Sequence, residues 1–272
     1  MSVVKKTSET ARSNRAEFAP EGLTLQPEAS SEMVEGSAVH WTDPLGEDHL
    51  HLAEPAVLGH ELYRGTKLRE GNHYPRQRNY HGVFYFSQTR QHIWHESLLE
   101  ASTLAWLDLH EHITAIAAQP VEIVFPDGSH HFPDFLAQHG DGKQVLYDVK
   151  PAAKLKGKVA AQFSRTRGVC DLIGWGYEVR SEQPRDTAIN IDWLVTFRHE
   201  GHHPGVDIAR RLIDSVDDKR TVGQLARAAT DLDLPNARSA IYHLIATQFL
   251  QIDLGTPISD KTIITRGRFA HA

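Results

Sequence analysis

The sequence predicts an α/β fold in which a mixed-sheet core is followed by a small three-helix unit closed by a hairpin. Three observations carry this. Between about Tyr80 and Val179 the apolar pattern changes from helix to three strands to helix to strand, an order that suits a mixed sheet rather than a regular doubly wound one. Gly140-Asp141-Gly142-Lys143 joins two apolar strands in the middle of that region and is a strong hairpin signal. After Pro204, three helical stretches and a terminal hairpin follow.

Residues 1–46 are rich in Ser, Glu, Thr and Ala and poor in periodic apolar residues. Such a stretch buries too little surface to offset the entropy of ordering, so it reads as a mostly flexible tail. Residues 51–79 are punctuated by Gly59, Gly65, Gly71 and Pro75 and carry Arg64, Lys67, Arg69, Arg76 and Arg78. They read as an irregular basic segment facing nucleic acid, at the start of a domain spanning residues 47–182. Val83 to Phe86 and then Ile93-Trp94 predict a hairpin. A helix starts near Ser97 with Leu98, Leu99, Leu104, Leu107 and Leu109 as its stripe; Ile113 and Ile116 extend the pattern until Pro120 stops it.

Val121, Ile123 and Phe125 form a strand up to the turn at Pro126-Asp127-Gly128, and residues 131–138 and 145–150 form two more. Pro151 ends the last of these, a basic helix runs from about 152 to 170, and residues 175–179 return as a strand. Residues 183–204 read as a linker in which His199, His202 and His203 cluster. Residues 205–272 hold helices over 206–216, 222–230 (capped by Thr221) and 235–250, then a hairpin, which is winged-helix architecture.

Composition narrows the function. The 272 residues carry 29 Lys and Arg against 35 Asp and Glu, a formal charge of -6, which excludes a uniformly basic binder but not a local basic patch. The single cysteine, Cys170, excludes a disulfide framework and a multi-cysteine zinc site, and reads as a small buried hydrophobe. No apolar run is long enough to span a membrane, and no apolar stretch follows Lys5-Lys6 as in a secretory signal. A soluble cytoplasmic protein is expected. The histidines at 199, 202 and 203 lack a cysteine partner for zinc and read as a polar interdomain loop. No chemistry is assigned to His110, His112, His130 or His131, which are expected at element ends.

The chemistry concentrates in Phe132-Pro133-Asp134-Phe135 and Tyr147-Asp148-Val149-Lys150, with Glu100 upstream. Asp148 and Lys150 are two apart and share a strand face. A hairpin folded about Asp141 sets residue 134 opposite 148, and a slip of one residue would undo this. Two carboxylates about 4 Å apart repel by roughly 4 kcal/mol at an effective dielectric of ~20. A divalent cation relieves that repulsion better than one lysine does. Mg²⁺ takes hard oxygen ligands, and paired ions can clamp both oxygens of a phosphoryl displacement. Simpler readings stand beside this one. Glu100 completes a capping box with Ser97, and Glu96 competes with it for the role of helix acid. Asp134 is a turn residue after Pro133, and Asp148 and Lys150 form an ion pair.

This constellation resembles the PD-(D/E)xK nuclease signature. The wider set of Trp94-His-Glu-Ser97-Leu-Leu-Glu100, Gln119-Pro120, Pro133-Asp134-Phe135 and Asp148-Val149-Lys150-Pro151-Ala-Ala153 resembles the TnsA family, endonuclease subunits of heteromeric transposases. The likeness is close over about residues 80–170 and weaker in the C-terminal unit. It implies a restriction-endonuclease-like core and a C-terminal winged helix. Glu100, Asp134, Asp148 and Lys150 would be catalytic, and Mg²⁺, replaceable by Mn²⁺, would be held by Glu100, Asp134, Asp148 and the carbonyl of Val149. It implies cleavage of double-stranded DNA at transposon ends, on the 5′-end strand. The implied partners are an integrase-type transposase subunit and an ATPase regulator that docks on the winged helix. Lys154, Lys156, Lys158, Arg165 and Arg167 are either a solvated helix face or contacts to DNA phosphates. A stand-alone restriction or repair nuclease, or an inactive DNA- or protein-binding adaptor, are the alternatives.

Overall fold

The computed structural model describes residues 34–68, 80–216, 220–230, 234 and 236–270. Its elements run β1 (Ala38–Thr42), β2 (Asp48–Leu52), β3 (Gly82–Phe86), β4 (Gln91–His95), α1 (Leu98–His110) and β5 (Ile113–Ala118). Then come β6 (Glu122–Val124), β7 (His130–His131), β8 (Phe135–His139), β9 (Gln144–Val149), α2 (Lys158–Ile173), β10 (Gly176–Arg180) and α3 (Arg185–Val195). The C-terminal part holds α4 (Val206–Asp214), α5 (Val222–Thr230), α6 (Ala237–Ala246), β11 (Leu250–Ile252) and β12 (Ile264–Arg266).

The central sheet has the order β10-β9-β8-β5 and is mixed, as the sequence predicts: β10 runs parallel to β9, and the other pairs are antiparallel. Both of its faces are covered. Phe135, Ala137, Val145, Tyr147 and Val149 pack with Leu104 and Leu107 of α1 and with Phe86 and Ile93 of the β3–β4 hairpin. Leu136 and Leu146 point the other way, toward Phe163, Val169 and Ile173 of α2. Continuous burial along β9 explains why its apolar residues do not alternate with polar ones. Helix α2 ends at Gly174, whose φ of 95° puts it in the left-handed region and turns the chain into β10.

Several boundaries differ from expectation, each for a physical reason. Part of the expected tail is ordered. β1 lies within it and buries Val39 and Trp41 against the core while pairing with β6, so the folded region begins before residue 47. Residues 1–33 of that tail lie outside the described residues. A second sheet, β2-β1-β6-β7, results. The basic segment holds two 3₁₀ turns, Pro55–Gly59 and Leu62–Arg64; Arg69, Arg76 and Arg78 lie outside the described residues. Helix α1 stops at His110, and Ile113 and Ile116 belong to β5. A register shift between Ile113 and Ala115 turns both isoleucines inward at a helix-like spacing of three. Residues 131–138 split into β7 and β8. The basic helix is a 3₁₀ turn (Ala152–Lys154) separated from α2 by Gly157, where φ is 57°.

The expected linker at 183–204 contains α3, whose Ile191 and Leu194 are buried. They join Ala105 and Leu109 of α1 and the apolar residues of α4–α6 in one cluster, so the C-terminal unit shares a core with the first. Thr221 and Gln224 close a reciprocal capping box at the start of α5, with bonds of 2.9 and 3.3 Å. Three helices and the antiparallel β11–β12 pair complete the unit. No helix among the described residues is long and apolar enough to cross a membrane.

Candidate functional site

Strands β8 and β9 pair Phe135 with Tyr147 and Leu136 with Leu146, the register expected from folding about Asp141. Asp134 therefore sits just beyond the last pair of the ladder, and Asp148 one residue past Tyr147 on the other strand. The Asp134 N–H still donates to the Tyr147 carbonyl at 3.0 Å. The next bond is different: the Val149 N–H donates to the Asp134 carboxylate at 2.6 Å. The side chain of Asp134 thus closes the opening between diverging strands. On the other flank Gln119, buried and held at a φ of 46°, donates its N–H to the Asp134 carbonyl at 2.9 Å. A non-glycine residue in that region costs of order 1–3 kcal/mol, strain accepted beside the site.

Asp148 is buried on the α2 side of the sheet. Its carboxylate takes the His131 Nε2 at 2.8 and 3.0 Å and the Tyr177 hydroxyl at 2.5 Å. Burial and the Asp148 charge push the Tyr177 hydroxyl up, so it stays protonated and donates. Glu100 lies in the first turn of α1, where Ser97 is the N-cap. The Ser97 hydroxyl donates to one Glu100 oxygen at 2.8 Å and the Glu96 N–H donates to the other at 2.7 Å. The capping arrangement weighed from the sequence is present. Lys150 is half-buried, with its N–H on the Arg180 carbonyl and its carbonyl accepting from the Ser181 hydroxyl.

Electrostatics tie these groups together. Burial, then Asp148, then Glu100 push the Asp134 carboxyl well above the usual range; the Val149 N–H and the Lys150 ammonium oppose them. Three of the four expected side chains, Glu100, Asp148 and Lys150, therefore act on the fourth, Asp134. They do not form a closed cage. Among the described residues, only Asp43, Glu47 and His49 bring three ligand atoms all within 4.8 Å of one another. That trio could in principle hold a metal. It occupies the β1–β2 turn, where Asp43 accepts the Leu45 and Glu47 N–H groups, each at 2.9 Å, and faces the His49 ring at 3.2 Å.

The expected DNA-contacting residues divide in two. Lys154, Lys156 and Lys158 are exposed. Arg165 and Arg167 are engaged within the fold: Arg165 bonds Asp127 at 3.0 Å and lies over the Phe125 ring, and Arg167 lies over Tyr177. In the basic segment Lys67 is 3.5 Å from Glu96 and lies over Trp94, close to the start of α1. Arg238, Arg266 and Arg268 of the C-terminal unit are engaged by Asp260 and by the carbonyls of Asp214 and His110. His199 and His203 accept backbone N–H groups of nearby glycines, as a polar loop would. Cys170 is buried, and burial pushes its thiol up. Sequence reasoning missed His131 and Tyr177. The one available signal was the position of His131 three residues before Asp134; Tyr177 gave none.

No protein-family model matches the chain, and no curated protein matches it.

Proposed function

We propose that the chain is a Mg²⁺-dependent DNA endonuclease that hydrolyses phosphodiester bonds at transposon ends, the TnsA-like subunit of a heteromeric transposase. The observation that carries this reading is the geometry at the end of the β8–β9 ladder. Asp134, just beyond the last pair, accepts the Val149 N–H and is subject to the Asp148 charge, with Lys150 directly after the strand. The donor set fits magnesium: carboxylate oxygens and a backbone carbonyl, with no sulfur among them. Asp134, Asp148, Glu100 and the Val149 carbonyl would hold the ion. When bound, it would lower the pKa of a water and stabilise charge on the scissile phosphate.

The chain's own residues do the rest. The ladder fixes the backbone of Asp134, so its carboxylate is oriented before substrate arrives. The Lys150 ammonium orients the attacking water or steadies charge on the phosphate. Lys154, Lys156 and Lys158 follow directly and hold the DNA backbone by phosphate contacts. The restriction-endonuclease-like and winged-helix assignments belong to the same proposal. The mixed sheet with helices on both sides and the three helices with a hairpin support them. The internal engagement of Arg238, Arg266 and Arg268 favours protein docking over base reading by the C-terminal unit.

The test is nicking of supercoiled plasmid in Mg²⁺ or Mn²⁺, with and without co-expressed transposase and ATPase partners. Asp134→Ala and Lys150→Ala should each abolish cleavage and leave DNA affinity largely intact. Cutting by Asp134→Ala at the parental rate would refute the site.

A further inference from the structure

We propose that His131 and Tyr177 are positioning residues that aim the Asp148 carboxylate at a divalent cation shared with Asp134, an inference that rests on the metal-dependent reading above. An ionised carboxylate offers about four lone-pair directions. The Tyr177 hydroxyl and the His131 Nε2 both engage Oδ2, at 2.5 and 2.8 Å, and His131 reaches Oδ1 only at 3.0 Å. Two donors thus fix the plane of the carboxylate and leave acceptor capacity, mainly on Oδ1. An ionised Asp148 can only accept, so the His131 proton facing it is on Nε2.

The donors are themselves held. His131 is in β7, paired with Ile123 of β6. Tyr177 is in β10, paired with Leu146 of β9. The Phe163 ring of α2 packs against both, 5.8 Å from the His131 ring and 6.4 Å from the Tyr177 ring. Three elements therefore converge on one carboxylate.

Stability does not require this arrangement. Position 148 follows Leu146 on a face packed by Phe163 and Val169, where an apolar side chain would need no partners. Keeping an acid there takes two buried donors from other strands. Outer donors of this kind orient metal-binding carboxylates and set their affinity.

The experiment is Mn²⁺ binding to the full chain, followed by calorimetry and by the electron paramagnetic resonance signal of free Mn²⁺, with near-UV circular dichroism as the fold control. Tyr177→Phe keeps the ring and removes only the hydroxyl. His131→Gln places an amide nitrogen where Nε2 was, whereas His131→Asn places one nearer the Nδ1 position. Tyr177→Phe, His131→Ala and His131→Asn should each weaken Mn²⁺ binding about 10- to 100-fold, and His131→Gln should recover most of the loss. Parental affinity in both Tyr177→Phe and His131→Ala, alongside lost binding in Asp134→Ala, overturns the positioning role alone. Absence of any Mn²⁺ uptake that Asp134→Ala removes overturns the metal reading and this inference with it.

Discussion

Removing Asp108 tests how the two parts of the chain are joined. Asp108 is fully buried in α1 and pairs with Arg198, which follows α3 and is itself buried. The same carboxylate accepts the Ser87 N–H at 3.0 Å and the Gln88 N–H at 3.3 Å, tying in the β3–β4 turn. Burial pushes the Asp108 carboxyl up and the Arg198 guanidinium down to about 10. Both directions mean that desolvation costs each ion more than the pair returns. Asp108→Ala leaves the Arg198 charge buried and unpaired, a loss of about 3–5 kcal/mol for such pairs. Against a total stability of about 5–15 kcal/mol, that is a third or more of a mid-range value. The double variant Asp108→Ala, Arg198→Met removes both ions and should regain most of the loss. Urea unfolding of the four proteins of the cycle gives the coupling directly. A loss below about 1 kcal/mol in Asp108→Ala, or a double variant as unstable as the sum of the singles, would refute the reasoning.

Three further outcomes are expected. Burial holds His110 down to about 4 from 6.5, so its folded pKa is depressed below the unfolded value. The stability this gives is full above pH 6.5 and is lost as pH falls toward 4, in all roughly 3 kcal/mol at about 1.4 kcal/mol per unit; the gap between urea midpoints at pH 7 and 4.5 should narrow in His110→Phe, which keeps a ring beside Trp106. Replacing Lys154, Lys156 and Lys158 by Ala should lower the slope of log affinity for DNA against log salt by about 0.9 per lost phosphate contact, whereas Arg165→Ala should leave the slope unchanged and lower the melting temperature. The Asp134 carboxyl is raised, so its contribution favours the fold below its unfolded pKa and is lost as pH rises through the folded value; Asp134→Asn, which keeps an acceptor for Val149, should raise the melting temperature of the metal-free protein at pH 7, and the gain should vanish below about pH 3.8 in a calorimetric series.

The sequence made the central hairpin legible because its two signals agree. Gly140 to Lys143 fixed the turn, and apolar residues on both sides left one register that buries them all. Ser97 and Thr221 were legible as caps because their partners are three residues away. Signals that depend on distant partners were not. Val39 and Trp41 alternate as a strand should, but five residues in a polar stretch say nothing of the β6 edge that pairs with them. Ile113 and Ile116 mimic a helix because a bulge in β5 changes the period. Arg165 reads as a free cation until Asp127, far away in sequence, is brought to 3.0 Å. His131 and Tyr177 belong to the same class: each is an ordinary strand residue until the fold turns it onto Asp148.

Three of this chain's other acids give a comparison for the cation proposed at Asp134. Asp127 is matched by Arg165, Asp260 by Arg238 and Asp108 by Arg198, one acid to one arginine. Each of those pairs balances its charge within the protein. The acids at 100, 134 and 148 depart from that pattern. Glu100 and Asp148 each have two fixed donors, and at Asp134 the opposing groups are the Val149 N–H and Lys150. Asp134 itself receives a single N–H and carries the repulsion of both neighbours. Three carboxyl groups thus gather where one lysine opposes their mutual repulsion. A fold selected only for stability would remove that repulsion with an apolar residue or an arginine. A site that must receive a dication keeps it, because the same repulsion that destabilises the metal-free protein becomes affinity when the ion binds.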